Sequence, residues 1–255
     1  MYKNKTEKTC LIDGDCIIYP VAAKGESEEL AVVEMLQMCM LKIDSIMQAC
    51  HASSFIFIVS GSNNFRKVLH PDYKAGRPPK PACYGALSEA LQALIIGNKW
   101  YVHAQLEADD LLGIIATNKR IKHPIICTID KDLLQITGWH YNFYGEGDDF
   151  PHYVSQEEAD LFWTQQMLTG DSTDNIEGMK GIGPVKARKL MHPLLASGWE
   201  AGTDLAKEIY RQQEKDVDLF IKTLQLVTIW RKPMPEELLK NELIAEVVKT
   251  LPSLN

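Results

Sequence analysis

"TCLIDGD", residues 9–15, is the stretch on which the fold turns. A short apolar run closing on an acid, a glycine and a second acid reads as a buried strand that ends at Asp13. Working outward, "SSFIFIVSG" (53–61) and "HPIICTID" (123–130) repeat that form, while "KWYVHA" is strand-like and "HYNFYG" reads as an edge strand. Residues 28–50, "YGALSEALQALIIG" (84–97) and "EADDLLGIIATNKR" (107–120) carry helical apolar spacing, the last with acids in its first turn. "KDLLQI" follows the third strand, and from "SQEEADLFWTQQMLTG" onward the pattern is mostly helical. Strands alternating with helices over residues 9–145 predict an α/β fold, a mainly parallel central sheet with helices on both faces. A C-terminal helical subdomain is expected after it. In such a sheet, ligands bind beyond the carboxyl ends of the strands.

The bulk numbers leave this room. A chain of 255 residues with 45% hydrophobic and 24% charged content can bury a sizeable core. Its longest apolar stretch, "MLQMCML" (35–41), is too short to span a bilayer, and no secretory pattern opens the sequence. Six scattered cysteines without a C-x-x-C pair fit reduced thiols in a cytosol better than disulfides or a zinc site. The net charge of −7 weighs against a polyanion partner only if charge is spread evenly. It is not: Arg66, Lys67, Lys74, Arg77 and Lys80 fall within 15 residues, and Lys180, Lys186, Arg188 and Lys189 within ten. The tryptophans, and the methionine-rich helix around residues 35–47, read as core.

Nine of the 34 acids fall in four groups. "LIDGD" gives Asp13 and Asp15, "LEADD" gives Glu107, Asp109 and Asp110, "TIDKD" gives Asp130 and Asp132, and "GDSTDN" gives Asp171 and Asp174. Singly, each group reads as turn or cap chemistry. Gathered at one sheet edge they would raise one another's pKa unless cations sat among them. All-oxygen ligand sets suit Mg²⁺ or Mn²⁺, and paired ions of that kind support phosphodiester hydrolysis.

"GMKGIGPVKARKL" fits a tight turn at Gly181 and Gly183 leading into a helix opened by Pro184. Its N–H groups can meet a phosphate while Lys186, Arg188 and Lys189 attract a strand without reading sequence. The alternative is a plain helix start with a solvated basic face. "HPDYKAGRPPKP" offers Tyr73 for stacking and Lys74 and Arg77 for phosphates, against the alternative of an idle surface loop.

In order and spacing, "LIDGD", "FRKVLHPDYKAGR", "LEADD", "TIDKD" and "GDSTDNIEGMKGIGPVKA" resemble the motifs of the 5′-nuclease superfamily. That superfamily comprises flap endonucleases, polymerase-associated 5′-nuclease domains and bacteriophage 5′→3′ exonucleases. The short region between Arg77 and Glu107 is most similar to the phage enzymes. The resemblance implies a PIN-like catalytic domain over residues 1–168 with an arch at about 75–100, and a helical subdomain over 169–255 containing a helix-hairpin-helix. It implies one Mg²⁺ held by Asp13, Glu107 and Asp109 with Asp110 nearby, a second held by Asp130, Asp132, Asp171 and Asp174, and Mn²⁺ as a substitute. Asp13, Asp109, Asp130 and Lys74 would be catalytic. Arg66, Tyr73, Lys74, Arg77 and the hairpin residues Gly181, Gly183, Lys186, Arg188 and Lys189 would contact DNA, with K⁺ at the hairpin carbonyls. The implied protein is a monomeric 5′→3′ exonuclease and flap endonuclease of a bacterial or phage-infected cytoplasm. Its substrates would be duplex DNA with a 5′ end, flap or nick, or an RNA–DNA hybrid. One position departs from the pattern: Gly61 stands where the family carries an aspartate, leaving Asp15 to compensate. A PIN-type ribonuclease and a catalytically weak DNA-binding protein with a decayed first metal site stay open as alternatives.

Overall fold

The structure, a computed structural model, describes residues 7–95, 99–145, 150–191, 198–212 and 217–251. The chain opens with β1 (Thr9–Asp13), α1 (Asp15–Ser27), α2 (Val32–Cys50), β2 (Ser54–Ser60), α3 (Phe65–Leu69), α4 (Tyr84–Leu94) and β3 (Trp100–His103). It continues through α5 (Ala108–Ala116), β4 (Pro124–Cys127), a 3₁₀ turn (Lys131–Gln135), β5 (Gly138–Tyr141) and β6 (His152–Val154). There follow α6 (Gln156–Thr169), β7 (Gly170–Asp171), β8 (Ile176–Glu177), α7 (Pro184–Met191), α8 (Gly198–Gln212), α9 (Val217–Val227), α10 (Glu236–Leu239) and α11 (Glu242–Lys249).

Two compact units result: 1–62, 78–133 and 138–153 form the first, and 63–77, 134–137 and 154–255 the second. The first is built on a sheet of order β3-β2-β1-β4-β5-β6 whose pairs from β3 to β5 are all parallel. Strand period decides which face each residue covers. Cys10, Ile12, Phe57, Val59, Ile125 and Cys127 join α1, α2 and α4 in one buried cluster. Leu11, Ile58 and Ile126, one residue out of phase, are buried outside that cluster, and α5 packs on the strands with its own Leu111, Leu112 and Ile115 buried. Both faces are therefore covered, as a parallel sheet requires.

Several sequence expectations shift by a turn or a strand. α1 was missed because Pro20 interrupts its apolar pattern; the helix nevertheless runs from Asp15 to Ser27. Residues 140–145 do not form an edge: β5 begins earlier, at Gly138, and β6 lies outside it. Trp139 is 47% exposed, stacked edge-on with Tyr153, and not core as expected. Trp163 and Trp230 are fully buried, while Trp199 lies outside the described side chains, as do residues 96–98 of the expected arch.

The second unit is helical around a small hairpin. α6 starts on a reciprocal cap, in which Ser155 accepts from the Glu158 N–H and Glu158 from the Ser155 N–H. β7 and β8 pair antiparallel. Its core gathers Trp163, whose indole N–H donates to Thr228 Oγ1 at 2.9 Å, and Trp230 against Phe65 at 4.9 Å between ring centres. Among the described residues no helix is long and apolar enough to cross a membrane.

Candidate active site

Strand order reverses between β1 and β4, which are hydrogen-bonded neighbours reached from different directions along the chain. Such a switch point opens a crevice at the carboxyl ends of its strands. Asp13 closes β1 there, and Asp130 follows β4. The two are joined through Thr128, whose hydroxyl donates to Asp13 Oδ2 at 2.7 Å and accepts from the Asp130 N–H at 3.0 Å. Asp130 Oδ1 in turn accepts from the Asp132 N–H at 2.9 Å.

Asp13 is 3% exposed. Cys16 also donates its thiol to Oδ2, at 2.9 Å. Among the described residues no lysine or arginine pairs with this carboxylate, so its hydrogen bonds come from neutral groups. Burial, and then the charge of Asp15, push its pKa up to about 6, against the lowering effect of the Cys16 and Thr128 bonds. A buried carboxylate short of a countercharge is where a cation would bind. The carboxylate and hydroxyl oxygens there suit Mg²⁺ or Mn²⁺, beside the one Cys16 thiol.

Glu107 precedes α5 as its N-cap, Asp109 is half-buried in the first turn, and Asp110 is wholly buried. Asp109 reaches the same neighbourhood as Asp13: the Cys16 thiol is pushed up by burial, then by Asp13, and further by Asp109. The first unit thus brings Asp13, Asp109, Asp130 and Asp132 toward one end of its sheet.

Asp15, the residue expected to compensate at Gly61, has both oxygens engaged within the first unit. Its Oδ2 accepts the Ser60 N–H at 2.9 Å and its Oδ1 accepts the Tyr84 hydroxyl. Burial and the Asp15 charge push the Tyr84 phenol upward, so it stays a donor. Ser60 Oγ meanwhile accepts the Ala108 N–H at 2.9 Å, tying β2 to the start of α5. Gly61 is a packing position: a Cβ there would lie 2.0 Å from the His103 carbonyl oxygen and 2.5 Å from that of Ala104. Close backbone approach leaves no room for any side chain, aspartate included.

The second unit holds the other acids and the basic residues. Asp171 Oδ1 accepts the Thr173 N–H at 2.8 Å, fixing the turn after β7. Asp174 is 5% exposed and paired with two cations, Arg77 at 2.6 Å and Lys74 Nζ at 3.6 Å. Residues 70–77 are further bound to this turn through Lys74 N–H to Asp174 O, at 3.2 Å, and Asn175 Nδ2 to Asp72 O, at 2.8 Å. Lys74 adopts φ 57°, a left-handed conformation uncommon outside glycine, and its ammonium lies 4.9 Å from the Tyr73 ring centre.

Two of the residues expected to contact DNA are buried. Tyr73 is 3% exposed. Arg66 is equally buried, because its guanidinium donates to the Leu226 and Thr228 carbonyls at 2.9 and 3.0 Å. It clasps α3 onto the C-terminal end of α9.

The glycine turn leads into α7 as its residues suggest. Gly181 takes φ 72°, Gly183 faces open space, and α7 starts at Pro184. Lys180, Lys186, Arg188 and Lys189 are exposed. Lys186 Nζ donates to the Gly181 carbonyl at 3.2 Å.

Sequence reading missed Thr128, Cys16, Ser60 and Tyr84. Thr128 had a signal, a hydroxyl two places before an acid at a strand end. Tyr84 had none, since only the fold brings it to Asp15, and Cys16, though three residues from Asp13, is a lone cysteine of no distinctive type.

Residues 8–161 match the family model for the 5′-3′ exonuclease N-terminal resolvase-like domain. The chain is 30% identical over 200 residues to the flap endonuclease Xni of Shewanella baltica, covering 72% of this chain and 74% of that protein. In fold it is similar to the T5 5′-exonuclease bound to divalent zinc ions, with TM-score 0.66 at 14% identity over 95% of this chain and 97% of that one. The bacteriophage T5 D15 flap endonuclease, solved as a pseudo-enzyme-product complex with DNA and metal ions, gives TM-score 0.65 at 14% identity and the same coverage.

Proposed function

The chain belongs to the 5′-3′ exonuclease family, and on that premise we propose that it is a metal-dependent 5′→3′ exonuclease and structure-selective flap endonuclease acting on DNA. The observation that carries this reading is Asp13: a carboxylate 3% exposed at the sheet's switch point, hydrogen-bonded by neutral groups and joined through Thr128 to Asp130.

Asp13, Glu107 and Asp109 are proposed to hold a divalent ion, Mg²⁺ or Mn²⁺, with Asp110 as a buried support and Asp130 and Asp132 adding acidic oxygens after β4. Asp171 and Asp174 are proposed ligands in the second unit. When bound, such an ion supplies an activated water and offsets charge on the departing oxygen. The chain's own residues do the rest. Thr128 and Cys16 hold Asp13 Oδ2 in place, and Ser60 fixes the start of α5 from which Glu107 and Asp109 extend. Lys74 and Arg77 are proposed to trade Asp174 for the phosphate of the DNA, acting electrostatically. Gly181 and Gly183 admit the backbone of a duplex to the start of α7, and Lys186, Arg188 and Lys189 attract it without reading sequence. K⁺ at the hairpin carbonyls belongs to this proposal, with Lys186 sharing the Gly181 oxygen. A monomer working on flaps, nicks or 5′ ends in the cytoplasm is the corresponding setting, with RNA–DNA hybrids as a second substrate.

The test uses a 5′-labelled duplex, a flap and an RNA oligomer, each with Mg²⁺, Mn²⁺ or chelator. Metal-dependent loss of 5′ nucleotides from DNA is the expected result. Cleavage of RNA alone favours the ribonuclease reading, and binding without cleavage favours a DNA-binding protein with a decayed site.

A further inference from the structure

Three cysteines from distant parts of the first unit converge in its core. Cys10 lies in β1, Cys50 ends α2 and Cys127 ends β4. Their sulfurs all lie within 4.8 Å of one another, with Cys50 and Cys127 at 3.9 Å, and none has exposed surface. A buried cysteine usually serves as a small apolar filler. That accounts for burial but not for three sulfurs facing one point. A trigonal thiolate centre with metal–sulfur bonds of about 2.3 Å sets its sulfurs about 4 Å apart.

The surroundings favour a cation. Hydrogen bonds from the Cys10 and Cys127 thiols, aided by the charges of Lys8 and His51 and opposed by burial, hold Cys50 toward thiolate, at about 4. Lys8 Nζ also donates to the Cys50 carbonyl at 3.3 Å. A surface depression of about 780 Å³ lies at the end of α2, lined by Lys8, Asp44, Met47 and His51, and the last three are donors that a passing ion can use.

We propose that Cys10, Cys50 and Cys127 form a binding site for a thiophilic divalent cation of the zinc–cadmium class, entering beside Lys8 and His51. Binding forms three metal–sulfur bonds, and the remaining thiol protons leave to solvent, so no oxidant is needed. Three thiolates and a divalent ion leave one negative charge, which the Lys8 ammonium opposes. Soft sulfur donors separate this site chemically from the oxygen donors around Asp13, and it does not depend on the nuclease reading.

The probe is Cd²⁺ added to reduced protein in excess Mg²⁺, followed by the ultraviolet sulfur-to-metal charge-transfer band. One equivalent should saturate the band. Cys50→Ser and Cys127→Ser should weaken binding by more than about tenfold, and Cys83→Ser should leave it unchanged. A missing band, or one retained in both core variants, overturns the proposal. Should those variants fail to fold, cadmium X-ray absorption on the wild type decides: a shell of three sulfurs supports the site, and an oxygen shell overturns it.

Discussion

Asp13 and Asp174 are both buried carboxylates, at 3% and 5% exposure, yet their neighbours treat the charge in opposite ways. Asp13 in the first unit receives a hydroxyl and a thiol, while Asp174 in the second receives an ammonium and a guanidinium. Burial costs the charged form in both places. What differs is the countercharge: Asp174 has its own, and Asp13 must take one from solution. Depth alone does not tell a carboxylate that folds with its own cations from one that lacks them; the partners at hydrogen-bond distance do.

The sharpest way to break this contrast is to neutralise the metal-facing acids. Asp109→Asn and Asp130→Asn should each lower cleavage of a 5′-labelled flap by about 10²–10³-fold, since each removes charge placed for the reaction. Thermal unfolding should barely move. Next comes the opposite side of the comparison. Lys74→Met strips a largely buried cation from Asp174 and should cost about 1–3 kcal/mol in chemical denaturation without metal. Arg77→Met should cost less, because Arg77 is 46% exposed and solvent screens it.

A subtler probe is pH. The Asp13 pKa is raised from 3.8 to about 6, so folding favours its protonated form. That contribution is fully present below about pH 4 and is lost as pH rises through about 6. Chelated wild type should show this decline in denaturation curves, superimposed on the other acids, and Asp13→Asn should lack it. The smallest change in activity is expected at Gly61. Gly61→Asp should not raise activity, and it should lower stability, because the His103 carbonyl occupies the space.

Much of this was legible in the sequence, and the reasons can be read from particular residues. "TCLIDGD", "SSFIFIVSG" and "HPIICTID" announce parallel strands because both sheet faces must be apolar, and β1, β2 and β4 formed there. The acids at their ends were visible because a strand's end is fixed by the same pattern. α1 was hidden by Pro20, whose disruptive tendency the surrounding packing overrides. The burial of Arg66 and Tyr73 was not legible, because a basic and aromatic loop looks the same in sequence whether it faces solvent or packs inward. Cys16, Ser60 and Tyr84 were silent: their roles come from hydrogen bonds across 45 to 69 residues, or from a side chain whose type alone means little.

The most direct test measures Mn²⁺ binding to wild type and Asp13→Asn at pH 8 and pH 5, by the electron-spin signal of the free ion. The account predicts binding by wild type at pH 8 that weakens by about tenfold per unit as pH falls below about 6, and poor binding by Asp13→Asn at both. Equal, pH-independent affinity in the two proteins would contradict it.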